Sequence, residues 1–189
     1  MYSLLCLFAT AALVSAEAFS ISIYKPGTLV HNDVLHASNH GFYTALERPS
    51  TNCPIKDQRY CPRVTGTLVR RNMKSMAVGV PGGQQVYIQP DGQVKYTFPH
   101  TEKKPSGAIV NGWTNKTSAG EDVITFDDGR GYCGLSICLN RGHNQTPGYW
   151  VLYANTVGFK KSFDKTRCTR IAGLTLRKSR YNIGCWEYV

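Results

Sequence analysis

No segment of this 189-residue chain repeats apolar residues at three-and-four spacing over three turns, which excludes a helical bundle and leaves strands to carry the core. No Cys-x-x-Cys pair occurs and the thiols are not grouped with histidines at ligand spacing, so no structural metal site is expected. A Gly-x-Ser-x-Gly elbow, the strand-to-helix turn that exposes a nucleophilic serine, is also missing. Acidic residues number only 12 against 22 Lys and Arg. The adjacent Asp127 and Asp128, followed by Gly129, read as a turn rather than as the separated carboxylate pair of a glycosidase. No low-complexity linker divides the chain, and no cofactor is expected.

What is present begins with an apolar leader. Met1 to Ala16 carries no charge, runs through Leu4-Leu5-Cys6-Leu7-Phe8 and ends in small residues, the pattern of a signal peptide cleaved after Ala16 or after Ala18. It is shorter than the roughly 20 apolar residues that span a bilayer, so no integral membrane segment is expected after processing. The remaining residues, 17–189, suffice for one domain with a sizeable core.

Cys6 leaves with the leader, and Cys53, Cys61, Cys133, Cys138, Cys168 and Cys185 remain, an even set suited to an oxidising compartment. Cys53 and Cys61 flank a seven-residue loop bearing Pro54 and are expected to close it. For the other four, pairing of Cys138 with Cys168 and of Cys133 with Cys185 is expected.

Strand signals recur along the chain. Phe19 to Tyr24 alternates as a half-buried strand, and Lys25-Pro26-Gly27 turns it. Met76–Val80, Gln85–Ile88 and Val94–Thr97 read as a three-strand meander through Pro81-Gly82-Gly83 and Gln89-Pro90-Asp91-Gly92. Val123–Phe126, a Gly-rich return through Leu135 and Ile137, a two-sided buried strand at Tyr149–Ala154 and another at Ile171–Leu176 follow. The expected fold is all-β: one disulfide-stapled domain of short hairpins, closed as a barrel or trefoil-like stack, with a two-sheet sandwich as the alternative.

Val80-Pro81-Gly82-Gly83-Gln84-Gln85-Val86-Tyr87-Ile88-Gln89-Pro90-Asp91-Gly92 resembles a phrase of small secreted fungal proteins of the IgE-binding-like and phialide-development cell-wall type. Gly41-Phe42-Tyr43, the Cys53-Pro54 and Cys61-Pro62 pairs, and the succession Cys138, Trp150, Cys168 follow the same layout over most of residues 17–189. The resemblance implies a secreted, non-enzymatic fungal protein, wall-associated or released toward a host as an effector or virulence factor. It supplies no catalytic residues. Cys133, Cys185 and the basic C-terminal third depart from the usual pattern.

That basic third sets the expected contact surface. From Thr156 to Val189 eight Lys and Arg stand against two acids, a net of +6 within a chain of net +10. Lys160, Lys161, Arg177, Lys178 and Arg180, with Tyr181 and Trp113 as stacking aromatics, are the candidate binding residues for an anionic or glycan partner. Cell-wall polysaccharide, a host surface or apoplastic component, or a host protein receptor would meet them. Tyr149 is a further candidate to stack on a sugar in a lectin-like module. Trp150 and Trp186 read as core. The leading enzymatic alternative is a secreted ribonuclease using His100 and Glu102, two apart and sharing a face if the segment is a strand, beside Lys103 and Lys104. His31, His36 and His40 read as solvated loop residues rather than metal ligands. The sequons at Asn115 and Asn144 are expected to lie on the surface.

Overall fold

Alternation in Phe19–Tyr24 (β1) drives Ile21 and Ile23 into the interior, and this strand becomes the organising element of one sheet. The computed structural model describes residues 17–140, 148–164 and 166–189. The other strands are His36–Ser38 (β2), Gly41–Tyr43 (β3), Thr51–Asn52 (β4), Leu68–Val69 (β5), Val86–Ile88 (β6), Val94–Tyr96 (β7), Trp113–Ser118 (β8) and Glu121–Phe126 (β9). Leu135–Asn140 (β10), Tyr149–Ala154 (β11), Cys168–Ile171 (β12), Gly173–Lys178 (β13) and Glu187–Tyr188 (β14) complete them. One five-stranded sheet runs β5-β1-β13-β9-β8, and a larger sheet runs β12-β10-β11-β3-β7-β6 with β2 on β3. β14 pairs with β4 alone.

The all-β reading holds, with the larger sheet curled as a half-barrel. Ile21, Ile23, Ile124 and Leu174 from one sheet pack in the same core as Phe42, Tyr96, Ile137 and Leu152 from the other. Burying each such side chain stabilises by about 1.5–3 kcal/mol before the entropy of ordering the chain offsets it. Among the described residues no helix is long and apolar enough to cross a membrane.

Two strand readings change in three dimensions. The Ile171–Leu176 run splits at Ala172: β12 pairs with β10 in the larger sheet, and β13 pairs with β1 and β9 in the smaller. Met76–Val80 forms no strand; it is bridged singly, Met76 to Val69 and Val78 to Cys185, and its amides go to the C-terminal segment, with Val80 N–H on the Trp186 carbonyl at 2.9 Å. The meander is therefore the two-strand hairpin of β6 and β7.

The helix Val157–Ser162 (α1) was not anticipated, because six residues are too few to display a periodicity. Thr156 caps it by accepting the Phe159 N–H at 3.1 Å, and buried Phe159 stacks on Tyr153.

Cys53–Cys61 and Cys138–Cys168 form as expected, the second directly across the β10–β12 register. Cys133 and Cys185 do not pair, a correction to the expected third disulfide. Cys185 is buried in the core beside Tyr188, whereas Cys133 lies exposed on the loop that follows Asp127-Asp128-Gly129 and enters β10. Burial pushes the Cys185 thiol up to about 12, so it behaves as a small apolar core residue rather than as a thiolate.

Candidate binding site

The basic C-terminal third is contiguous in sequence and divided in space. Arg177 and Lys178 lie opposite Ser20 and Phe19 at one end of the five-stranded sheet. There Lys178 is paired with Glu17, whose carboxyl is held below the usual carboxylate range first by this hydrogen bond and then by the lysine's charge. Arg71 also approaches Glu17, at 3.9 Å, and lies 4.5 Å over the Phe19 ring. Arg180 sits 4.9 Å from the centroid of exposed Tyr181. Trp113 is not displayed as a stacking platform. Its ring packs edge-on against Phe126 at the core margin, and its indole N–H is buried without a hydrogen-bond partner among the described residues.

Lys160 and Lys161 occupy the last turn of α1, where cations also complement the helix carbonyls. Lys160 borders a cleft of about 430 Å³ whose other lining includes Tyr132, Cys133, Phe159, Phe163 and Arg170. The Lys160 ammonium stands 5.7 Å from the centroid of the Tyr132 ring. Arg170 reaches this cleft because β12 pairs with β10, opposite Ser136. Lys25, carried by the turn after β1, stays outside this cleft: its ammonium donates to the Thr169 hydroxyl, on the opposite pleat of β12 from the Arg170 side chain, and to the Arg170 carbonyl at 2.7 Å.

Below the cleft, Asn155 is a fixed support. Its amide accepts from the buried Ser136 hydroxyl at 2.7 Å and donates to the Cys133 carbonyl at 3.1 Å, which holds the Tyr132–Cys133 loop against β10. The result is a pair of exposed cations converging on aromatic surface, an arrangement that suits an anionic group attached to a ring. Sequence reasoning found Lys160 and missed Tyr132 and Arg170 as its companions. Only the strand pairing joins them.

The other sequence candidates are dispersed. His31 accepts the Lys25 N–H at 3.3 Å, whereas His36 and His40 are not the solvated loop residues expected: His36 lies on β2, His40 packs at a tilt against Phe98 with centroids 3.9 Å apart, and the Nδ1 of each is buried. His100 occupies a turn with φ of 56° rather than a strand, so it shares no strand face with Glu102. Lys104 binds the Gln85 side chain at 2.6 Å and the Glu102 carbonyl at 2.8 Å. No group of three His, Cys, Asp or Glu suited to a metal occurs among the described residues. Asn115 is exposed on the edge strand β8, where a glycan can be carried, whereas the Asn144 sequon, like Lys165 and the leader, lies outside the described residues.

Burial depresses the imidazoles of His36 and His40, the latter also through the Lys95 charge. A depressed folded-state value means the unfolded chain takes up protons first as pH falls below the ordinary histidine value near 6.5. Stability contributed by these neutral rings is therefore present above that pH and is lost progressively below it. The thermal midpoint is expected to fall by a few degrees between pH 7.5 and pH 5, and by less in His40→Gln. Equal pH dependence in wild type and variant would show that His40 has no part in it.

A protein of Arthroderma benhamiae described as "Uncharacterized secreted protein" is 27% identical over 141 residues, covering 74% of this chain and 70% of its own length. No solved structure matches. The PhiA-like secreted protein model matches residues 19–189, so the chain belongs to the PhiA-like secreted protein family.

Proposed function

We propose that this secreted protein binds rather than catalyses, and that its partner is an acidic polysaccharide of the fungal wall or of a host surface. The observation that carries this reading is the cleft beside α1, in which Lys160 and Arg170 flank the aromatic surface of Tyr132, Phe159 and Phe163. Carboxylated or sulfated sugars present an anion on a ring with an apolar face, which matches cations set beside aromatics. The formal charge of +10 adds long-range attraction to such a polymer. Host-directed action would use the same surface, since the recognised chemistry is the same.

The test is retention on immobilised polygalacturonate over a salt series. Wild type is expected to elute progressively as NaCl rises from about 0.02 to about 0.5 M, where the Debye length shrinks to a few ångströms. Lys160→Gln combined with Arg170→Gln removes two exposed charges that make no ion pair among the described residues, so the fold should be unaffected. Retention of the double variant at low salt is expected to drop severalfold, more than that of a control in which Lys116 and Lys103 are replaced. Equal retention of the two doubles would reduce the cleft to part of a diffuse positive field.

A further inference from the structure

The larger sheet has a second face. On β11 the core takes Leu152 and Ala154, so the opposite pleat carries Tyr149, Val151 and Tyr153. On β3 the core takes Phe42, which leaves Gly41 and Tyr43 on the same outward side. In most antiparallel sheets such a face reads as charged and solvated. Here it is a row of tyrosines: the Tyr43 and Tyr149 rings meet edge to face with centroids 5.2 Å apart, and Tyr153 stacks on Phe159 at 5.4 Å.

Gly41 has a specific part in that row. A Cβ there would stand 2.9 Å from the Tyr43 hydroxyl oxygen and 3.0 Å from its Cε2, so the ring lies along its own strand only because residue 41 has no side chain. Helix α1 covers part of the face, and what it leaves open is a cleft of about 490 Å³ floored by Val151, Tyr153, Phe159 and the Cys138–Cys168 disulfide. That volume is within the roughly 300–1,000 Å³ of small-molecule sites.

The rim of this cleft carries Asp91, Asn140, Asp164 and Arg167. Both carboxylates are held in place by their own turns. Asp91 accepts the Gln93 N–H at 3.0 Å, and Asp164 accepts the Thr166 N–H at 2.8 Å and its hydroxyl at 2.7 Å. Two carboxylates and one guanidinium leave the rim slightly negative, the opposite of the Lys160 and Arg170 cleft on the other side of Phe159. An acidic sugar is repelled here. Vicinal hydroxyls, which donate to carboxylates and accept from Arg and Asn, are suited to it, and the apolar face of a pyranose is suited to tyrosine.

We propose that this cleft is a second binding site, specific for a neutral oligosaccharide, with Tyr153 as the stacking platform and Asp91, Asn140, Asp164 and Arg167 as hydroxyl ligands. It differs from the acidic-polysaccharide site in charge and shares only the wall residue Phe159 with it. The two together make the protein a bridge between charged and uncharged glycan chains.

Isothermal titration with cellohexaose, laminarihexaose, mannohexaose and chitohexaose, each at low and high salt, tests the proposal. At least one is expected to bind with an affinity that changes less than about twofold with salt, because no net charge is neutralised. Tyr153→Ala is expected to weaken it by about tenfold or more, consistent with loss of an aromatic platform. Should that variant fail to fold, Asp164→Asn with Arg167→Gln at the exposed rim is expected to weaken binding comparably. The Lys160→Gln and Arg170→Gln double variant is expected to keep neutral-sugar binding while losing polygalacturonate. Absence of heat with all four sugars, or binding indifferent to both cleft variants, overturns the site. Binding lost in the Lys160 and Arg170 double variant overturns its independence and moves the sugar to the other cleft.

Discussion

Replacing Gln84 by alanine is expected to lower the thermal midpoint by roughly 10 °C, equivalent to about 3 kcal/mol for a domain of this size. Gln84 is 1% exposed and acts as a strand partner made from a side chain. Its Nε2 donates to the carbonyls of Thr97 at 3.0 Å and Tyr188 at 2.9 Å, and its Oε1 accepts the Tyr188 N–H at 2.9 Å. Alanine leaves those backbone groups buried without partners, at about 1 kcal/mol or more each, and adds a small cavity. The loss should spread to the C-terminal strand, because the Tyr188 hydroxyl both donates to the Gly66 carbonyl and accepts the Leu68 N–H, each at 2.8 Å. Gln84→Glu cannot make both donations and is expected to be no better. An alanine variant melting within about 2 °C of wild type would remove this bridge from the account of stability.

Gly173→Ala is expected to be comparably damaging, at about 3 kcal/mol or more, with a reduced yield of folded protein. Gly173 begins β13 where the chain leaves the larger sheet for the smaller. A Cβ there would sit 2.2 Å from Val123 Cγ1 and 2.7 Å from the Ile124 carbonyl oxygen. The valine can be shortened, but the carbonyl belongs to the β9 backbone that pairs with β13. Val123→Ala should therefore rescue Gly173→Ala only in part, as read by the urea midpoint. Full rescue would show that the side chain alone sets the limit and that the backbone can yield.

These two glycine and glutamine positions show how far the residues speak before folding. The Pro81-Gly82-Gly83-Gln84-Gln85 phrase was recognisable as a motif, yet nothing in it reveals that one glutamine turns inward to bind a strand about a hundred residues later. The alternation of β1 and the apolar density of β11 were legible, since period-two patterning is a local property. The run at Ile171–Leu176 was legible as strand and illegible as two strands, because a sheet change depends on which neighbours each half finds.

The candidate sites follow the same division. Charge in the last third was countable, but Lys160 and Lys178 part company when β12 and β13 enter different sheets. Cys53 and Cys61 were paired by proximity along the chain, whereas the expected pairing of Cys138 with Cys168 had no local signal and follows from the β10–β12 register. Cys133 and Cys185 were paired by elimination, and core burial of Cys185 decided otherwise. Tyr149 and Tyr153 share a face by alternation along one strand, whereas Tyr43 joins them only through the pairing of β3 with β11.

By itself, then, the sequence determined the all-β class, the local disulfide loop, the net positive charge and the likeness to a secreted family. All of these reside in composition, short-range alternation or a contiguous phrase. Tertiary structure alone decided which sheet each strand joins, which cysteines pair and which side chains line the two clefts, because strand partners are selected by packing against residues distant in the chain.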